Sequence, residues 1–253
     1  MKKSFFGNIS FFYQKPLYIL AVIIFIQILS IFYYSTKKKD LCGDEFVSLR
    51  IHIGFKVRDV FRCYEPITSY EFEKSLKVSK DGRFNYSRVY RNSKLDTGVP
   101  PLYYLVLYTA QSIYSLFSTS FSMYPGFILN TLFFVLASYI LYFLSCFILE
   151  PDLALLPNLL WGFSAGAINS VLCLRMYILA TAFYLLLLYC IFTIVRNKNA
   201  VLKDYLFLSL TIYFGVLTHY HFVVWASLVL IFFLQVYLSY QFKWLSSSRL
   251  SQF

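Results

Sequence analysis

Charge is scarce in this sequence: only 14% of its 253 residues are Asp, Glu, Lys or Arg, against about a quarter in soluble domains. With 59% hydrophobic residues and a mean hydropathy of +0.62, too little polar surface remains to cover a water-soluble globule of this length. A soluble single domain is excluded. Cysteine and histidine are sparse as well. The five cysteines (Cys42, Cys63, Cys146, Cys173 and Cys190) form no CxxC pair or other metal-ligand spacing, so a structural zinc site of the usual kind is not encoded. Internal repeats and low-complexity segments are also lacking.

What is present is apolar length. A helix needs about 20 apolar residues to cross roughly 30 Å of hydrocarbon. The first run, Leu17 to Tyr34, follows a short basic start and has no small-residue cleavage site after it, so it reads as a retained anchor. Six more runs follow, at about 101–118, 126–149, 153–172, 176–195, 205–218 and 222–242. Short connectors with turn or charge signals separate them, among them Tyr124-Pro125-Gly126 and Glu150-Pro151-Asp152. The expectation is an all-α polytopic integral membrane protein of about seven transmembrane helices. Residues 1–253 read as one transmembrane domain, and 36–98 as a long polar first loop with short surface helices.

The net charge of +11 does not signal nucleic acid, because 23 of the charged residues, 14 basic and 9 acidic, lie between Lys37 and Asp96. The rest are scattered, mostly at the ends of apolar runs, which is the pattern of one exposed loop plus connectors. Cys42 and Cys63 could pair if that loop meets an oxidising compartment. Arg196, Lys198, Lys203, Lys243 and Arg249 point the connectors at 196–204 and after 242 to the cytoplasm. If all seven runs cross, the loop then falls inside. An outside loop requires one middle run to be broken or re-entrant, and 153–172, with Pro157, Gly162, Gly166, Asn169 and Ser170, is the weakest.

Four short motifs carry candidate chemistry. Asp44-Glu45, just after the first span, offers adjacent carboxylates that can hold a divalent cation or supply a general base; an acidic helix cap is the plainer reading. Pro100-Pro101-Leu102-Tyr103-Tyr104 leads into an apolar run, and a helix start with interfacial aromatics accounts for it. Arg175-Met176-Tyr177 places a guanidinium at the edge of apolar runs, where it needs an anionic or carbonyl partner and suits phosphate; a snorkelling helix end is the alternative. Thr218-His219-Tyr220-His221 holds two of the three histidines at a helix end, at a spacing that does not share a helical face.

In this order the four motifs resemble the GT-C superfamily of membrane glycosyltransferases, in the protein O-mannosyltransferase and RgtA/B/C/D-like branch. The resemblance runs from about residue 15 to 240 and departs at Val99, where that branch commonly has His, and at Cys173, where it often has an acid. Such enzymes usually continue for several more spans, so the chain looks like an N-terminal half. The resemblance implies a polyprenyl-phosphate sugar donor and a site on the extracytoplasmic side, which puts the loop outside and sides against the charge count. The acceptor would be a lipid, polysaccharide or protein, and the location the plasma (inner) membrane. It implies Asp44 as general base, Glu45 orienting the acceptor or sharing a divalent cation with Asp44, and Arg175 with His219 on the departing phosphate. Pro100, Pro101, Tyr103, Tyr177 and Tyr220 would line the site. Two rivals stay open: a truncated, non-catalytic fragment or scaffold of the same fold, and a lipid or solute transporter.

Overall fold

The computed structural model describes residues 11–53, 68, 76–95, 100–197 and 200–250. Among these, every regular element is helical: α1 (Phe11–Lys37), α2 (Gly43–Ile53), a 3-10 turn (Lys80–Gly82), α3 (Tyr86–Leu95), α4 (Leu102–Phe117), α5 (Tyr124–Ser145), α6 (Leu155–Gly162), α7 (Ala165–Leu172), α8 (Tyr177–Arg196), α9 (Leu202–Thr218) and α10 (His221–Leu250). The first loop thus carries short helices in its described parts. Cys63 and Val99 lie outside the described residues.

Local chemistry explains the boundaries. Pro125 sits in the first turn of α5, where its missing N–H costs nothing. Asp204, in the first turn of α9, accepts from the Val201 N–H at 3.0 Å. The run at 153–172 is broken, though not by its proline. Pro157 lies in the first turn of α6, where no intrahelical donor is needed. The break falls at Gly162–Ser164, where Ser164 caps α7 by accepting from the Ala167 N–H at 3.1 Å.

Three helical stretches among the described residues are long and apolar enough to cross a membrane: Lys15–Lys37, Tyr124–Ser145 and Tyr177–Arg196. The pair α6 and α7, bent by 63°, is a fourth candidate when taken as one broken span. Large apolar side chains stand outward along them and their neighbours, among them Phe25, Leu29, Ile128, Leu132, Leu210 and Leu228. Exposed apolar surface on that scale belongs in hydrocarbon rather than water. The fold is that of a helical membrane protein.

Side-chain contacts order the bundle from one end to the other. Leu20 and Ile24 of α1 pack with Tyr142, Ala154 and Leu155 at the far end. Ile31 packs with Phe134, Ala167, Ile168 and Val171 further along. At the loop end, the Lys38 ammonium donates to the Leu172 carbonyl at 2.8 Å. The bent pair α6–α7 therefore runs the full length of the bundle despite its break. α8 returns to the far end, where the Arg196 guanidinium lies 5.8 Å over the Phe147 ring.

α4 behaves differently. Tyr103 donates to Asn130 Oδ1 at 3.1 Å, Leu107 lies beside Gly126, and Gln111 Nε2 donates to the Ser122 carbonyl at 3.2 Å. It follows only the first turns of α5 and the connector before them, so both of its ends lie at the loop end. The physical reason is its buried face, which includes Gln111, Ser112 and Ser115 besides Tyr103, Tyr104, Leu107 and Tyr108. Ser112, Ser115 and the Tyr108 hydroxyl find partners in the loop segment around Arg83–Asn85, and Gln111 finds one in the connector, not in lipid.

Candidate functional site

The loop end of the bundle is organised around the irregular connector between α7 and α8, residues 173–176. The last carbonyls of α7 and some backbone groups of the connector are left over by the helices, and side chains satisfy them. Asn130 Nδ2 donates to the Val171 carbonyl at 2.9 Å and to the Cys173 carbonyl at 2.8 Å. Lys38 takes the Leu172 carbonyl. The Leu174 N–H donates to Glu45 Oε1 at 2.8 Å. This connector presents Arg175.

Glu45 is the clasp of the arrangement. Its side chain is 1% exposed, and both oxygens are committed. Oε1 takes the Lys38 ammonium as well as Leu174, and Oε2 accepts from the Cys42 N–H at 2.9 Å. The last bond is half of a capping box, in which the third residue of the helix reaches back to its N-cap. Burial alone would raise the pKa of this carboxyl, but the Lys38 ammonium and the two backbone N–H groups outweigh it and hold the value below the ordinary one.

Asp44 is different. Its side chain is 71% exposed, and Oδ2 lies 3.9 Å from Arg175 Nη2. The Arg175 Nη1 donates to the Asp44 carbonyl and to Ser48 Oγ, each at 3.2 Å. The guanidinium carbon lies 5.9 Å over the Tyr177 ring. Ser48 in turn faces the buried Tyr104 hydroxyl at 3.5 Å. The Arg175 side chain is 14% exposed, so it is mostly sheltered yet reachable.

The Tyr177 ring also meets His219, with centroids 6.4 Å apart. His219 Nδ1 accepts from the His221 N–H at 3.1 Å, which leaves Nε2 as the donor of the neutral ring. Burial, then His221 and then the Arg175 charge, hold its pKa below the usual histidine value.

The structure therefore draws together four segments far apart in sequence. Asp44, Arg175, Tyr177 and His219 form one chain of contacts at the loop end. Tyr103 and Tyr104 stand behind it, fully buried, and Pro100 and Pro101 start α4, with the Pro101 carbonyl accepting from the Leu105 N–H at 3.0 Å. Tyr220 is half exposed at the α9–α10 turn and joins none of these bonds. Lys38, Ser48 and Asn130 also belong to the cluster and were missed by motif reading. Asn130 alone left a trace, as an amide inside an apolar run.

A shared cation on Asp44 and Glu45 does not fit this geometry. Consecutive residues lie about 100° apart around a helix, one carboxylate is exposed and the other saturated, and the Asp44 side faces a guanidinium. Among the described residues no group of three or more His, Cys, Asp or Glu is placed to hold a metal. Thiol chemistry fits no better at Cys173, where burial and the Glu45 charge push the thiol up to about 12. Comparison with known families, with curated proteins and with solved structures finds no match to this chain.

Proposed function

We propose that this protein is a membrane glycosyltransferase that moves a sugar from a polyprenyl-phosphate donor to an acceptor hydroxyl by a single inverting displacement. The observation that carries the reading is the meeting of an exposed Asp44 carboxylate with the Arg175 guanidinium and His219 at one end of a helical bundle. Asp44 is the general base: it takes the proton from the acceptor hydroxyl as that oxygen bonds to the anomeric carbon. The bond from that carbon to the phosphate oxygen breaks, with oxocarbenium character developing at the carbon. Arg175 and the Nε2–H of a neutral His219 stabilise charge on the departing phosphate. The isoprenoid tail stays in the bilayer. Glu45 does not touch the acceptor in this scheme; it fixes α2 to the connector so that Asp44 and Arg175 keep their spacing.

We read the bundle as six crossings, formed by α1, α5, the pair α6–α7, α8, α9 and α10, with α4 lying at the loop end. Three of these, α5, the pair α6–α7 and α8, lie between the loop and the connector that carries Arg196 and Lys203, and that odd number places the loop and the site on the opposite face, as the positive-inside rule asks. The loop is then extracytoplasmic although no run turns back, and the chain resides in the plasma (inner) membrane.

The test is transfer in membranes from a polyprenyl-phosphate sugar by Asp44→Asn and Arg175→Ala variants. Each is expected to lose at least about 100-fold in rate, with thermal stability of Asp44→Asn unchanged because the side chain is exposed and its ion pair long. Full transfer by Asp44→Asn would sink the assignment of Asp44 as the base, and no transfer by the unmodified chain would leave a scaffold of the same fold as the better reading.

A further inference from the structure

A second polar feature lies about 16 Å along α4 from Tyr104, counting 1.5 Å per residue to Ser115. It is a cleft of about 310 Å³ between the segment 77–83 and the end of α4 with its connector to α5. Lys77, Lys80 and Arg83 line it from one side, and Ser115, Ser118, Thr119 and Ser120 from the other. No carboxylate is among its lining residues. Neither Lys77 nor Lys80 forms an ion pair among the described residues.

The walls are built, not incidental. The segment is stapled to one face of α4 at positions four and three residues apart. Tyr108 donates to the Gly82 carbonyl, the Phe84 N–H donates to Ser112 Oγ at 3.3 Å, and Arg83 Nε donates to Ser115 Oγ at 2.9 Å. A second bond from Arg83 Nη2 goes to the Ser115 carbonyl. Phe84 is held at φ 55°, in the left-handed region a phenylalanine disfavours. Such strain persists only where the surroundings over-determine it, and it clusters at ligand sites. The result is a fixed concave wall whose two lysines form no ion pair among the described residues.

We propose that this cleft binds a phosphate group, presented either as a lipid headgroup or as a free phosphate ester. Two lysine ammoniums and the Thr119 hydroxyl supply donors, the Ser118 and Ser120 hydroxyls beside them bond each other at 2.9 Å, and no carboxylate among the lining residues competes. The volume is at the lower end of ligand clefts, which run from about 300 to 1,000 Å³, so it admits the phosphate with its glycerol or sugar. The proposal shares no residue with the transfer chemistry above and stands apart from it.

The test uses the full chain in phosphatidylcholine nanodiscs, with phosphatidylglycerol doped in as one probe and soluble glycerol 1-phosphate as the other. Lipid retention is read by mass spectrometry and ester binding by phosphorus NMR line broadening. The double variant Lys77→Gln/Lys80→Gln is compared with Arg196→Gln/Lys203→Gln, which removes equal charge at the far end. Binding is expected to weaken about tenfold or more in the cleft variant and to change little in the control. Loss of phosphatidylglycerol that the ester cannot displace assigns a headgroup; loss of ester binding alone assigns a free phosphate. Equal losses in both variants, or no binding of either probe by the unmodified chain, would overturn the proposal.

Discussion

Asp44 and Glu45 are neighbours on α2, yet their surroundings divide them, because one faces the open end of the bundle and the other is enclosed by Lys38, Cys42 and Leu174. The consequence is a pH signature for Glu45. Its pKa is lowered in the folded chain, so its stabilising contribution is complete above the unfolded value, ordinarily 4.5, and fades as pH falls through the folded one. Glu45→Gln leaves the Lys38 ammonium without its anion and is expected to cost about 3 kcal/mol at neutral pH, in the range for breaking a buried pair. Thermal unfolding in detergent at descending pH checks this. The gap in Tm between the two proteins should hold from neutral pH to about 5 and then narrow; a gap that ignores pH would show that packing, not charge, is lost. Half of this role was legible in the sequence, since an acid three residues after Cys42 reads as a helix cap. The other half was not. The bond to Leu174 spans 129 residues, and nothing in local spacing encodes such a partner.

At the scale of elements, most helices followed from apolar runs and their punctuation, and the exceptions have physical causes. The run at 153–172 was read as weak because of its proline, glycines and polar residues, and it is broken, but the break sits at Gly162–Ser164 where Gln27 of α1 occupies the space a side chain would fill. A turn that is tighter than its sequence suggests joins α9 to α10. A Cβ added at Gly215 would come within 2.4 Å of the Phe222 ring, which is fully buried and stacked on Tyr184 at 5.3 Å. Two effects oppose each other in Gly215→Ala. Helix propensity favours alanine by roughly 1 kcal/mol, whereas overpacking a filled core costs about 1–3 kcal/mol. The ring is fully buried and held by its stack on Tyr184, so overpacking wins and the variant is expected to lose about 1 kcal/mol or more net. Unfolding in denaturant reads the sign. A stabilised variant would mean that α9 and α10 separate easily. The same paired contact was invisible in the sequence, where Gly215 reads only as a poor helix former.

Across the whole molecule, one helix decides the topology. Charge counting over seven runs put the polar loop on the cytoplasmic side, and family resemblance put it on the other. The conflict dissolves if α4 is not a crossing. Its run at 101–118 is apolar enough to be read as a span, but its buried face carries hydroxyl groups that pair with Arg83 and Phe84 and an amide that reaches the Ser122 carbonyl. The sequence showed the residues without showing which face they shared. The two arrangements predict opposite sides for the connector after α4. Thr119 is exposed there, and Cys42 is exposed beside the site. In a background with the native cysteines replaced, Thr119→Cys is expected to react with a membrane-impermeant maleimide from outside intact cells, as Cys42 does when it alone is retained. Asn197→Cys, in the connector between α8 and α9, should react only after lysis. Labelling of Cys42 and Thr119→Cys from opposite sides would restore α4 as a crossing. Labelling of both only after lysis would keep α4 at the loop end but turn that end to the cytoplasm, where a polyprenyl-phosphate donor presented outside could not meet Asp44.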